Sequence, residues 1–305
     1  MPRSALSPLT LGLLCTAAAV LSAWPAFGEP APAPNFAPNP SVGWVVVLGG
    51  FKPPATGPGP VMADPAYPNV NNNQFRLTGK QPTLPLANLA NPILQPWARE
   101  QLAKRNAQVL AGGDVLGPPH HCWPRGVPGF LLEGGFQPVF IVQGKTDVVM
   151  VAQADNHQLR RIRLNAPHAP DARPSWFGDS VGHYEGDTLV VDTIGLSSRA
   201  FIDDFQTPHS DKLHVVERFR LTDGGKQMEV QIHVEDEGAF TTPWNAVQRY
   251  RRAEPGGHEY IPVLEEDATS GVGVTGPLQE AVCSDATSHF GGEGLAIPQA
   301  ARPDF

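Results

Sequence analysis

GDSVGHYEGDTLVVDTIG, residues 178–195, reads as two short strands folded about one tight turn. Gly186-Asp187 is that turn, because a glycine there takes positive φ without penalty, and Asp187 is accordingly read as a turn residue rather than a catalyst. Side chains on a strand alternate between faces. On the second strand Leu189, Val191 and Thr193 share one side and Val190, Asp192 and Ile194 the other. Asp192 stands between apolar neighbours, so it is expected to point into the core. A carboxylate there needs a partner, because an unpaired buried charge is strongly destabilising.

The pattern continues on both sides of this hairpin. PVFIVQG (138–144), TDVVMVAQ (146–153), HQLRRIRL (157–164), KLHVVERFRL (212–221), KQMEVQIHVED (226–236) and WNAVQRYRR (244–252) are short runs rich in Val, Ile, Phe and Tyr, each bounded by turn residues. With the two strands of the opening hairpin they make eight, at spacings short enough for hairpins. The expected fold is therefore mainly β: an antiparallel meander that closes into a lipocalin-like barrel or forms a strongly curved sheet, with one or two peripheral helices and proline-rich arms. A two-sheet sandwich would give a similar sequence. An eight-stranded barrel has an interior just wide enough for side chains or one small ligand.

Four segments follow along the chain. Residues 1–28 read as a secretory signal peptide: Arg3 is the only charge before Glu29, and LTLGLLCTAAAVLSAW leads to a small-residue cleavage site after Gly28. Residues 29–93 are a proline- and glycine-rich arm whose EPAPAPNFAPNP stretch reads as an extended linker, and GWVVVLGGF within it as one buried strand. Residues 94–252 hold the β unit and a surface helix, PWAREQLAKRNAQVLAGG, with Pro96 in its first turn and Leu102 and Val109 on one stripe. Residues 253–305 form a C-terminal arm.

The mature chain would be periplasmic or secreted, with no stable membrane span after cleavage. It keeps 30 acidic and 21 basic side chains, since only Arg3 is lost, for a net charge of −9. Nucleic acid is excluded as a partner on that charge. Cys122 and Cys283 are the cysteines left after cleavage, and an oxidising compartment favours a disulfide between them, which would tie the C-terminal arm back; two separate buried thiols are the other reading.

Polar residues that interrupt apolar faces are the candidates for chemistry. Val215, Glu217, Phe219 and Leu221 share a face, which turns Glu217 inward, while His214 shares the other face with Val216, Arg218 and Arg220. Arg160 and Arg161 project to opposite sides, so one of them is free to pair with Asp192 or Glu217; Arg161 is taken as the substrate-binding one. His183, His209, Asp192 and Glu217 form the candidate catalytic set, and Arg161, Tyr184, His214 and Trp244 the candidate substrate-binding set. His209 follows Pro208 in a loop, where barrels tend to carry their function. Each has a structural reading beside the functional one: His183 as a hairpin tie, Asp192 with Glu217 as a buried network, Trp244 as core. The histidines of PHSDKLHVVE have no helical HExxH spacing, GDSVG (178–182) has the letters of GxSxG but falls within a strand of the hairpin instead of at the strand-to-helix turn a nucleophile elbow needs, and no phosphate-binding glycine loop occurs, so neither metal nor cofactor is expected.

CWPRGVP, RRI, GDSVGHYEGDTLVVDTIG, PHSDKLHVVERFR and AFTTPW, in this order, resemble a large family of exported, mostly uncharacterised bacterial proteins over about residues 93–252, together with Cys283. The resemblance implies export and no particular activity. Tyr184 stands where that family usually has tryptophan, and Asn156-His157 where an acidic residue often precedes the arginine pair. Two functions are compatible with these residues. One is an exported enzyme acting without a cofactor on a small, partly apolar molecule by His/carboxylate acid–base chemistry, as a lyase, isomerase or hydrolase. The other is a periplasmic small-ligand-binding barrel without catalysis. An open cavity touching His183, Asp192 and Glu217 would favour these two, and a filled interior a structural envelope protein.

Overall fold

The computed structural model describes residues 32–39, 42–47, 50–68, 84–111, 123–132, 138–152 and 158–253. The signal segment, His120, His121, Cys122, Cys283 and the C-terminal arm beyond Ala253 lie outside them. Among the described residues nine strands close into one barrel in sequence order. They are β1 (Trp44–Val46), β2 (Val139–Gln143), β3 (Asp147–Ala152), β4 (Gln158–Leu164), β5 (Asp179–Glu185), β6 (Thr188–Ile194), β7 (His214–Thr222), β8 (Gln227–Glu235) and β9 (Trp244–Arg252). Eight are the runs read as the β unit, and the ninth lies in GWVVVLGGF, the buried strand read in the arm. The ninth, β1, closes the ring by pairing β9 at Trp44↔Arg252 and Val46↔Tyr250, and β2 at Trp44↔Val139.

One pairing departs from the expected meander. A ring in which every neighbour runs oppositely must hold an even number of strands, so a ninth strand forces one parallel pair. That pair is β4 with β5, through Arg163↔Val181 and Leu164↔Gly182. Parallel neighbours need a crossover connection instead of a tight turn, and residues 165–178 supply it. The crossover is fastened at its far end, where Ser175 N–H donates to Gly195 O at 3.1 Å and Ser197 N–H to Ser175 O at 2.9 Å. Gly178 ends it with φ +60°, and a Cβ there would lie 2.3 Å from Ile194 O, so no other residue fits without a shift.

Period-two alternation fills the interior. Val148, Met150, Ile162, Val191, Phe219, Val230, Ile232 and Tyr250 are buried and point in. One mouth is plugged by the arm: Phe36 is fully buried edge-on to Phe219 at 6.5 Å, and its carbonyl accepts the Trp44 indole N–H at 3.0 Å. The segment read as a coreless linker thus contributes a core aromatic. Gln143 Nε2 donates to Pro34 O and to the Tyr184 hydroxyl, both at 2.8 Å, which places Tyr184 in that plug.

Helix α1 (Pro96–Leu110) carries proline in its first turn and buries Ala98, Leu102 and Val109, as its stripe predicts. Asn106 on the same face pairs with both backbone groups of Ala87, at 3.0 and 2.8 Å, and so holds the preceding arm. Among the described residues no helix is long and apolar enough to cross a membrane.

Candidate functional site

Polar groups gather at two places on the same strands. Inside, Arg160 on β4 faces Glu217 on β7, and both side chains are 0% exposed. The pair is bidentate, with Arg160 Nη1 donating to Glu217 Oε1 at 2.8 Å and Nη2 donating to Oε2. Nη2 also reaches Thr193 Oγ1 at 3.1 Å, and that hydroxyl lies 2.9 Å from Ser180 Oγ. Forked geometry and these hydroxyls offset the desolvation of two charges. Glu217 is inward as the sequence indicated, but its partner is Arg160. Arg161 lies outside, 63% exposed, with Nε donating to Asp147 Oδ1 at 2.6 Å. Since neither Arg160 nor Glu217 presents surface to solvent, the interior at this layer is filled rather than open.

Asp192 does not belong to this layer. It sits on the outer face of β6, opposite the inward Val191 and Thr193. Its apolar neighbours misled because the crossover covers this part of the barrel wall: His168, in the crossover, places Nε2 3.1 Å from Asp192 Oδ1. From the other side His214 on β7 places its Nε2 3.0 Å from the same oxygen. Each ring is backed by a second carboxylate, His168 Nδ1 by Asp179 Oδ2 at 3.1 Å and His214 Nδ1 by Glu235 Oε2 at 3.4 Å. Glu235 also takes His233 Nε2 at 2.9 Å, and His233 Nδ1 meets Asn245 Oδ1 at 2.8 Å. The result is a row across β5 to β8 in the order Asp179, His168, Asp192, His214, Glu235, His233.

Charge follows from these contacts. Burial works against ionised Asp179, but donors from the Ala169 N–H, Arg163 and His168 outweigh it and hold the carboxyl below its ordinary range. His233 and His214 together lower Glu235. Burial also opposes charge on His233, and the hydrogen bonds to Glu235 and Asn245 overcome it and raise the imidazole. The row is thus a continuous chain of imidazole–carboxylate contacts that leaves part of each side chain in water. Among the described residues no group of three or more His, Cys, Asp or Glu is arranged to hold a metal ion.

The remaining candidates do not join it. His183 is 52% exposed on β5, its Nε2 3.0 Å from Glu185 Oε1, and Glu185 also pairs with Arg218 at 2.5 Å. The expected partnership of His183 with Asp192 is therefore not formed. His209 is no mouth residue: it is buried, its Nδ1 donates to Ser210 O at 2.7 Å, and among the described residues its Nε2 has no hydrogen-bond partner. Burial lowers its basicity. Trp244 is core, packed edge-on against Phe240 at 5.7 Å.

Sequence reasoning missed His168, Asp179, His233 and Glu235 as members of a site. The last two were on the outward face of the most regular strand, and the registers His214↔Glu235 and Asp192↔Val216 align them with Asp192. His168 carried no such signal, because a loop has no period. Comparisons with protein-family models, with curated proteins and with solved structures return no match.

Proposed function

We propose that this is an exported enzyme that performs cofactor-independent acid–base chemistry on a small molecule, and that it does so at the outer-face row. The observation that carries the reading is the single oxygen of Asp192 shared by two imidazoles at 3.0 and 3.1 Å, each ring backed by its own carboxylate. A carboxylate that orients an imidazole is the usual support for a general acid or base, and half-exposure leaves the ring within reach of a substrate. His214 and His168 are the proton carriers, Asp192 the orienting group. Glu217 is assigned to the fold, where its ion pair with Arg160 holds it.

Export rests on the signal-like residues 1–28 and on the resemblance of the 178–195 block to exported proteins. It brings with it the Cys122–Cys283 disulfide, which thiol labelling of the denatured, unreduced protein tests; two free thiols would remove it. The functional test is a turnover panel of esters, lactones, β-hydroxy ketones and glycosides, run on the wild type and on Asp192→Asn. Turnover lost in the variant supports the proposal. A panel with no turnover, or turnover that persists in Asp192→Asn combined with His214→Gln, contradicts it.

Binding without catalysis has one observation of its own. A cleft of about 520 Å³ lies outside the barrel, lined by Pro53, Pro58, Pro60, Pro92, Ile93 and Thr241 among others. Its lining holds no ionisable side chain, so it suits an apolar ligand and not proton transfer.

A further inference from the structure

Three segments meet at the surface beside the crossover, and each brings one side chain to a stack. Arg199, in the β6–β7 connection, holds its guanidinium carbon 4.8 Å from the Trp176 ring centre and 5.8 Å from that of Trp123. The two indoles are themselves 5.7 Å apart at 34°. Trp123 is 42% exposed. Such a cation over aromatic faces is stabilised by the ring quadrupoles, yet the stack is not what holds the segments together. Backbone does that: Ser197 N–H donates to Ser175 O at 2.9 Å, and Gly126 packs so closely that a Cβ there would meet Ala200 Cβ at 2.7 Å and Trp176 O at 3.0 Å.

Among the described residues, the guanidinium of Arg199 has no hydrogen-bond acceptor and no carboxylate partner; its contacts are the two rings. Contact with the rings leaves the five N–H groups of the guanidinium unspent. An arginine so placed is a fork for a carboxylate. A bidentate pair is coplanar, so a planar group that bears the carboxylate extends from the guanidinium beside the two indoles, of which Trp123 is 42% exposed. A ring in that position gains both the ion pair and offset stacking.

We propose that Trp123, Arg199 and Trp176 form a docking site for a small aromatic carboxylate. The fork reads the carboxylate and the indoles read the ring. The site stands independently of the acid–base reading, since its occupancy is measured without turnover and Asp192→Asn is expected to leave it unchanged.

The test is equilibrium binding of 4-hydroxybenzoate to the full-length protein, followed by ligand-observed NMR, beside cyclohexanecarboxylate and 4-hydroxybenzyl alcohol. Saturable binding of the aromatic acid is expected, with each comparison compound at least about fivefold weaker because it lacks either the ring or the carboxylate. Arg199→Gln is expected to weaken 4-hydroxybenzoate about tenfold or more, and Arg199→Lys, which keeps the charge but not the fork, at least about threefold. Both variants should melt with the wild type, as the backbone contacts imply, and Arg199→Lys alone decides the matter if Arg199→Gln does not. Absence of saturable binding up to roughly 10 mM, where even weak sites fill, overturns the proposal. So does wild-type affinity in either variant, or equal affinity for cyclohexanecarboxylate.

Discussion

Inside the barrel Arg160 and Glu217 meet with both charges out of water, while outside, on the same run of strands, the row from Asp179 to His233 keeps every member between 16% and 48% exposed. Both places set carboxylates against side-chain nitrogens from other strands or the crossover. They differ in what surrounds them. In a dry site an ion pair is fixed, because losing either partner strands the other charge. At a half-wet surface each pair contributes little, typically 0–1 kcal/mol by order of magnitude, and its protons exchange with solvent. The interior group therefore ties β4 to β7 across the core, and the outer group stays in contact with solvent. Adjacent residues illustrate this: Thr193 serves the interior layer and Asp192, one position before it, the outer row.

The largest effect is expected at the interior. Glu217→Gln leaves the Arg160 charge buried without its counterion and should cost about 3–5 kcal/mol, a fall of roughly 10 °C or more in melting temperature for a chain this size. Replacing both residues with apolar ones of similar volume should recover most of that loss. A double variant that melts as low as the single one would show that the pair contributes more than mutual neutralisation.

Next come two glycines of the opening stretch, one at its start and one at its turn. Gly178→Ala must displace Ile194 O as well as adopt positive φ, whereas Gly186 (φ +58°) has open space around it. Chemical denaturation should give about 1 kcal/mol for Gly186→Ala and clearly more for Gly178→Ala. Equal losses would mean that the crossover relaxes easily.

These expectations also mark what was readable in advance. Eight strands and the Gly186 turn follow from alternation, and Glu217 was placed inward by three apolar neighbours on its face. The parallel β4–β5 pair was not readable, because it depends on whether a three-residue strand separated from β2 by 92 residues, 47–138, joins the ring; parity is a property of the closed barrel and not of any segment. Asp192 was misplaced for a related reason. Alternation identifies two faces, and it indicates the buried one only where the other faces water; Val190 is buried on the outer face and Asp192 is partly covered by His168, so β6 looks apolar on each side. The buried Arg160 was one of two equal choices until register decided.

The outer row predicts a pH dependence of stability. Asp179 and Glu235 have lowered pKa values, so their contribution to stability is present above the unfolded carboxylate range and is lost as pH falls through it. His233 is raised, so its contribution is full below the unfolded imidazole value and fades as pH rises past it. Melting curves should show the row's support greatest between roughly pH 4.5 and 6.5. Asp179→Asn combined with Glu235→Gln should flatten the acid side of that profile; an unchanged profile would mean that the row is uncoupled from folding.

The smallest expected change in stability, within about 1 kcal/mol, belongs to Asp192→Asn, whose side chain is 43% exposed. Set against Glu217→Gln, it gives the most direct test of the claim that chemistry resides on the outer face and the interior is scaffold. On any substrate the panel yields, turnover per folded molecule should be measured for both variants alongside their melting temperatures. The account predicts that Asp192→Asn melts within a few degrees of the wild type and loses turnover by about a hundredfold or more, while Glu217→Gln melts far lower and turns over normally as long as it is folded. Turnover retained in Asp192→Asn and abolished in folded Glu217→Gln would contradict it.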